Sequence, residues 1–289
     1  MQVSESITKK SASNLALAFI LLPKEKREGM SALYAFCREV DDVADDESVP
    51  SDERRKQLGE WRDDIRKACT GGSPEHPVNQ ELKPFIEKHG MPFELFDELI
   101  KGVEMDLDQN RYETWEQLEL YCYRVASVVG LLSIHIFEYS DPRCKEYAVY
   151  LGKALQFTNI LRDVGTDAEL DRVYLPAAAL REFGVTEAEI LQGRYSDRYE
   201  KLARHMAGRA RDFYDKAAAC LPAADRKSMA TAELMGSVYW GILRKLEERR
   251  FNVFDEGPAK LTKAQKIGLI LRMWLRNLTG AASPNYGGV

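Results

Sequence analysis

Apolar residues recur at steps of three and four along most of this chain, and few segments alternate with the period of a strand. In residues 24–46 the positions Met30, Leu33, Tyr34, Cys37 and Val40 mark one helical stripe. Ser51 leads a charged helix over 51–68, which the loop Thr70-Gly71-Gly72-Ser73-Pro74 ends. The same spacing predicts helices over 79–89, 92–108, 114–137, 142–163, 177–183, 186–192, 198–221, 224–250 and 262–278. Residues 1–10 and 281–289 read as loose ends, the latter with Ser283-Pro284-Asn285 and Gly287-Gly288. No Gly- or Ser-rich linker and no internal repeat breaks the pattern, so residues 1–289 are expected to form one all-α domain. The helices outnumber what a four-helix bundle needs, which leaves room for a central hydrophobic cavity surrounded by helices.

Composition narrows the picture. A chain of 289 residues, 45% hydrophobic and 30% charged, can bury a full core and is not disordered. A net charge of −5 argues against a dedicated nucleic-acid binder. A phosphate ligand stays open, because a divalent metal can supply positive charge. Cys37, Cys69, Cys122, Cys144 and Cys220 are odd in number and widely spaced, which fits a reducing compartment. The longest unbroken apolar run, 15–22, is eight residues and stops at Pro23, whereas a membrane span needs roughly 20. Ser4, Glu5, Lys9 and Lys10 before it do not follow the order of a signal peptide. A soluble, cytoplasmic protein is expected.

Two polar stripes carry the candidate chemistry. Asp41-Asp42-Val43-Ala44-Asp45-Asp46-Glu47 holds five carboxylates in seven positions, and Asp41 and Asp45 lie one turn apart beside Tyr34 and Arg38. Taken alone, the cluster also reads as a solvated helix end, with Arg38 as the ion-pair partner of Asp42. The preceding Leu33-Tyr34-Ala35-Phe36-Cys37 is apolar on nearly all sides, which favours a buried helix. The second stripe is Asn159, Asp163 and Asp167, with Gln156 one turn earlier. Three hard oxygen donors at i, i+4 and i+8 suit Mg²⁺, which shares its coordination with waters and phosphate oxygens. Two such stripes on separate apolar helices are best explained as facing walls of a metal–diphosphate site. His76, His89, His135 and His205 show no ligand spacing.

Around these stripes the chain resembles the squalene/phytoene synthase family, which joins two prenyl diphosphates head to head. The resemblance runs in order through Leu21-Leu22-Pro23-Lys24-Glu25-Lys26-Arg27 and Ala32-Leu33-Tyr34-Ala35-Phe36-Cys37-Arg38 into the first aspartate motif. It continues through Gly102-Val103-Glu104-Met105-Asp106-Leu107, Arg111-Tyr112, Thr114-Trp115 and Tyr121-Cys122-Tyr123-Arg124-Val125-Ala126-Ser127-Val128-Val129-Gly130. The second aspartate motif and Arg172-Val173-Tyr174-Leu175-Pro176 complete it.

That resemblance implies the all-α isoprenoid-synthase fold, with both aspartate motifs at the mouth of an apolar cavity. Asp41, Asp45, Asn159, Asp163 and Asp167 would bind metal, and Arg38, Arg162, Arg172, Tyr239 and Gln156 would serve the diphosphates. Tyr34 and Tyr121 would line the reaction centre; without the resemblance they read rather as core aromatics with a satisfied hydroxyl. Phe19, Leu22, Ser31 and Leu155 are candidates for the cavity lining. The implied cofactor is Mg²⁺, with Mn²⁺ as a substitute; NADPH is left open, since the family carries no glycine-rich fingerprint even when it uses that reductant. The chain departs from the family pattern at Ser11-Ala12-Ser13-Asn14-Leu15, Ser127, Thr166 and Asp255-Glu256, where Lys260, Lys263 or Lys266 would have to replace a basic position.

The expected reaction is head-to-head (1'-1) condensation of two farnesyl diphosphates to presqualene diphosphate, with continuation to squalene left open, supplying hopanoid or sterol precursors. The near alternative is a phytoene or dehydrosqualene synthase of carotenoid biosynthesis, and a class I terpene cyclase fits the tyrosine-rich middle block less well. A non-enzymatic assembly factor of the same fold is the alternative of another class, but it should have lost the acidic ligands. The expected partners are prenyl diphosphates, with no nucleic acid and no inferable partner protein. Residues 260–278 mix Lys263, Lys266, Arg272 and Arg276 with Ile267, Ile270, Leu271, Trp274 and Leu278. They read either as a peripheral membrane contact or as an ordinary closing helix with a wet face.

Overall fold

The computed structural model describes residues 2–10, 18–19, 22–279 and 286. Among the described residues it is an array of helices with one isolated parallel bridge, Arg111 to Val173. Its axis is α8 (Cys144–Glu169), which buries Tyr147, Leu151, Ala154, Phe157, Ile160, Leu161 and Val164. Apolar side chains on several sides of one helix demand neighbours all round. They are α11 (Asp197–Cys220), α12 (Ala230–Glu248) and a long helical segment on the far side. Phe157 meets Phe213 of α11 edge-on at 5.2 Å.

A second layer is built on α2 (Lys24–Asp45), flanked by α3 (Ser51–Cys69), α4 (Pro77–His89) and α5 (Phe93–Asp108). Phe36 of α2 is fully buried, edge-on to Phe96 of α5 at 5.4 Å and to Trp61 of α3 at 5.9 Å. Burying one such ring contributes on the order of 2–3 kcal/mol. This fixes α2 to the core, while of its acidic end Asp41 is partly buried and Asp42, Asp45, Asp46 and Glu47 are exposed.

The predicted helix over 114–137 is not uniform. It runs as α6 (Trp115–Cys122), a π-helical turn (Tyr123–Ser127) and α7 (Val128–Phe137). Two glycines let other helices approach that turn. A Cβ on Gly152 of α8 would lie 2.5 Å from the Ser127 Cα, and one on Gly102 of α5 would lie 2.7 Å from the Arg124 Cβ. Ser127, one of the departures from the family pattern, is buried, and its hydroxyl donates to the Val149 carbonyl at 2.7 Å. By length and composition Trp115–Phe137 could cross a membrane, which the count of unbroken apolar runs missed. In this fold it is a core helix between α5 and α8.

The expected loose N-terminus is instead helix α1 (Gln2–Lys10). Its Ser4 is buried, with backbone N–H and hydroxyl both donating to Glu81 of α4 at 3.0 and 2.5 Å. A polar stretch is ordered here by a carboxylate far along the chain. At the other end, Tyr286 is buried rather than loose; the rest of 281–289 lies outside the described residues. Four further helices, α9 (Ala177–Phe183), α10 (Glu187–Leu191), α13 (Val253–Glu256) and α14 (Lys263–Thr279), complete the described chain.

Candidate active site

Three helices, not two, bring carboxylates together. Asp41 and Asp45 come from the last turns of α2, Asp106 from the end of α5, and Asp163 and Asp167 from the end of α8. Asp41, Asp45, Asp106, Tyr121, Gln156, Arg172 and Tyr174 line one cleft of about 220 Å³. Burial, then the neighbouring Asp45, raises Asp41 to about 7. Burial and Asp163 likewise raise Asp167 to about 7. Asp106 rises to about 6 because burial outweighs its two tyrosine hydrogen bonds and the nearby Arg172. It stands between the walls, adding its charge to those felt by Asp41 and by Asp167.

Local backbone structure sets the other groups. Asp171 adopts a left-handed conformation, φ 52°, just after α8. Its carbonyl and carboxylate accept hydrogen bonds from Arg111. The following strand-like stretch is tied down by Val173 N–H to the Asn110 carbonyl at 3.0 Å. Arg172 is thereby turned back across the cleft, donating to Asp45 at 3.2 and 3.3 Å. Tyr121 and Tyr174 each donate to Asp106 at 3.1 Å, one to each oxygen. Tyr112, Tyr121 and Tyr174 pack as one cluster with ring centres 5.3–5.8 Å apart.

The second stripe has its own partners. The Asn159 amide donates to Gln156 Oε1 at 3.3 Å, and its own Oδ1 is buried without a hydrogen-bond partner. Asp163 accepts a fork from Arg162 at 2.7 and 2.5 Å, and Arg162 also hydrogen-bonds Tyr239 of α12. Of the predicted residues, Asp41, Asp45, Tyr121, Gln156 and Arg172 line the cleft, whereas Asn159, Arg162, Asp163, Asp167, Tyr239, Arg38 and Tyr34 stand outside its lining. Arg38 pairs with Asp42 at 2.5 Å, both about half exposed, and Tyr34 meets Phe19 edge-on at 6.5 Å. Asp106, Tyr112 and Tyr174 lay inside quoted motifs but were given no role from sequence. Asp106 shares a helical face with Gly102 and Val103, the one local sign that it points inward.

An apolar cavity of about 110 Å³ adjoins the cleft. Met30, Ala126, Val129, Ile134, Leu155 and Met235 are among its walls. Neighbouring positions divide between the two spaces: Val125 and Gln156 face the cleft, Ala126 and Leu155 the cavity. The π-turn thus serves both. Of the predicted lining residues Phe19 and Leu155 are there, whereas Leu22 and Ser31 line neighbouring clefts. Thr166 bonds its own helix, and Asp255 and Glu256 bond Asn252 and Arg249. Ser11-Ala12-Ser13-Asn14-Leu15 lies outside the described residues.

This donor set fits a hard divalent cation. It offers carboxylate and amide oxygens, an unpartnered Asn159 oxygen, and, at Asp41 and Asp167, carboxyl groups for which burial and neighbouring carboxylates outweigh the nearby arginines. Among the described residues no three His, Cys, Asp or Glu side chains close into a ready-made cage. Coordination completed by water and phosphate oxygens is the habit of Mg²⁺.

Comparison with known proteins agrees with this geometry. A family model described as squalene/phytoene synthase matches residues 8–265. The chain is 35% identical over 261 residues to a presqualene diphosphate synthase of Rhodopseudomonas palustris, covering 90% of this chain and 92% of the relative. It is 34% identical over 271 residues to a phytoene synthase of Arthrospira platensis, covering 88% and 86%. A crystal structure of a dehydrosqualene synthase in complex with ligand superposes with a TM-score of 0.85 at 27% identity, covering 96% of this chain and 95% of that one.

Proposed function

Since the chain belongs to the squalene/phytoene synthase family and is a prenyltransferase of that type, we propose that it condenses two farnesyl diphosphates head to head into presqualene diphosphate, which becomes squalene only where NADPH supplies a hydride. The observation that carries this reading is the convergence of carboxylates from α2, α5 and α8, close enough that Asp106 adds its charge to those felt by Asp41 and by Asp167, at a cleft beside an apolar cavity.

Family members use a divalent metal for their diphosphate substrates. Asp41 and Asp45 on one side and Asn159, Asp163 and Asp167 on the other would hold Mg²⁺, which supplies the charge neutralisation that makes diphosphate a leaving group. Arg172 reaches across the cleft and orients diphosphate oxygens with its planar fork, while Arg162 and Tyr239 do so from the α8 side. Opposite unit charges 4 Å apart attract by about 1 kcal/mol in water but about 4 kcal/mol at an effective dielectric of 20, so keeping water out strengthens every such contact.

The prenyl chain lies in the cavity, where Met30 and Met235 swing aside to admit it. The ring faces of Tyr121 and Tyr174, backed by Tyr112, stabilise the allylic cation formed at its mouth. The second substrate's double bond attacks that cation, and loss of a proton closes the cyclopropane. Tyr121 accepts the proton and passes its own to Asp106, which burial holds near the pKa such a relay needs.

A second reading has support of its own. The Arthrospira relative is named a phytoene synthase, and the structural neighbour is a dehydrosqualene synthase. Incubation with farnesyl or geranylgeranyl diphosphate and Mg²⁺, with and without NADPH, separates the readings. Presqualene diphosphate from farnesyl diphosphate, reduced to squalene with NADPH, is expected. A phytoene- or dehydrosqualene-type triene irrespective of NADPH would favour the second reading. No metal-dependent turnover of either substrate would overturn both, and would favour a non-enzymatic relative.

A further inference from the structure

The last helix, α14, has two apolar faces. One packs inward: Met273 is buried and Leu269 and Ile270 are partly so, against Ala230, Leu234 and Met235 of α12 and Leu155 of α8. Met235 and Leu155 also line the apolar cavity, so α14 covers that wall from outside. The opposite face is in solvent. Ile267, Leu271 and Leu275 are 56%, 55% and 55% exposed, and their i, i+4, i+8 spacing sets them in one row. Of the six large apolar side chains exposed among the described residues, three form this row. Isolated exposed apolar residues need no explanation, but a contiguous row does. The side chains of Trp274 and Leu278 lie outside the described residues.

Charge identifies what the row meets. At about 100° per residue, Lys263 falls on one edge of it and Arg272 on the other. After Glu256 the chain carries Lys260, Lys263, Lys266, Arg272 and Arg276 and no Asp or Glu, although the whole protein has a net charge of −5. Arg276 lies toward the buried Glu233, so the cations that border the row are Lys263 and Arg272. An apolar stripe between cationic borders suits a helix lying in a lipid interface. Anionic headgroups add about 1 kcal/mol for each Lys or Arg near the surface. A second copy of this chain fits poorly, because two such faces pressed together would set cation against cation.

We propose that α14 seats the protein on an anionic lipid bilayer through Ile267, Leu271 and Leu275. The cavity wall then lies about one helix diameter, ~10 Å, from the lipid surface. The proposed prenyltransferase activity explains only why that proximity is useful, since its product is itself a lipid.

The test is flotation of the full chain with phosphatidylcholine vesicles with or without phosphatidylglycerol. Vesicle binding is read without turnover, so its failure and the failure of the prenyltransferase reading are separate results. Binding to the anionic vesicles is expected, weakened by high salt and by omission of phosphatidylglycerol. The pair Leu271→Glu and Leu275→Glu should weaken it on the order of 10-fold or more per leucine. The pair Leu271→Ala and Leu275→Ala, mild on an exposed face, should act in the same direction with an unchanged melting temperature. Absence of wild-type binding, or equal binding by both pairs, would overturn the proposal. So would a wild-type dimer that the glutamate pair makes monomeric without any vesicle binding, which would identify a second copy as the cover.

Discussion

Two buried carboxylates in this molecule each accept hydrogen bonds from two tyrosine hydroxyls, yet their surroundings differ in kind. Asp106 is held by Tyr121 and Tyr174 at 3.1 Å each. Glu233, at the start of α12, is held by Tyr147 at 2.8 Å and by Tyr286 at 2.5 Å. Burial raises the pKa of both. Asp106, however, opens on a cleft and feels Asp45 as well as Arg172, whereas Glu233 lies among core side chains and feels the charges of Arg226 and Arg276. The same carboxylate–tyrosine unit is therefore a fastening in one place and part of an anionic site in the other. What distinguishes them is access and the neighbouring carboxylate that Asp106 feels.

The comparison breaks most clearly by removing a wall. Asp41→Ala or Asp163→Ala should lower turnover on the order of 100-fold or more. Asp41→Ala should not lower the melting temperature appreciably, because it removes a repelled charge from the folded state, whereas Asp163→Ala leaves the Arg162 guanidinium without its fork and should lower it. Near-normal turnover would refute the role assigned to that residue. Asp106→Asn keeps an acceptor for a tyrosine and loses the charge. Turnover should fall roughly 10- to 100-fold, read by steady-state kinetics beside an unchanged urea midpoint.

Glu233→Ala should do the reverse. It strands the hydroxyls of Tyr147 and Tyr286 in the core, at a cost of about 1–3 kcal/mol in urea unfolding, while the folded enzyme keeps its rate.

The smallest expected effect is in the pH dependence of stability. Asp41 and Asp167 near 7 and Asp106 near 6 all lie above the ordinary 3.8. Between pH 5 and 7 the folded state therefore holds more of these protons than the unfolded state, so stability falls as pH rises through that window. Metal-free melting temperatures should decline across it, and Asp41→Asn or added Mg²⁺ should flatten the decline. A profile unchanged by either would argue that the walls are not mutually repelled.

Much of this site was legible in the chain. Carboxylates one turn apart on an apolar helix are a costly arrangement, and both pairs were visible as such. Asp106 was not, because beside Glu104 and Asp108 it looks like part of a wet helical face; only the packing of Tyr121 and Tyr174 from other segments makes it buried. The reach of Arg172 depends on the left-handed turn at Asp171, which no local pattern announced. The π-turn in 123–127 was also hidden, since one extra residue in a turn leaves the apolar spacing nearly helical and the glycines of α5 and α8 that let other helices crowd it are distant in sequence. The order of α1 came from Glu81, some 77 residues away. Elements set by nearby spacing were readable; those set by distant partners were not.

The most direct test follows diphosphate release from farnesyl diphosphate as Mg²⁺ is titrated, in the wild-type protein and in the Asp41→Ala and Asp163→Ala variants. Release that requires Mg²⁺ and disappears in both variants is the predicted result. Release that proceeds without a divalent cation, or that survives the loss of either wall, would contradict it.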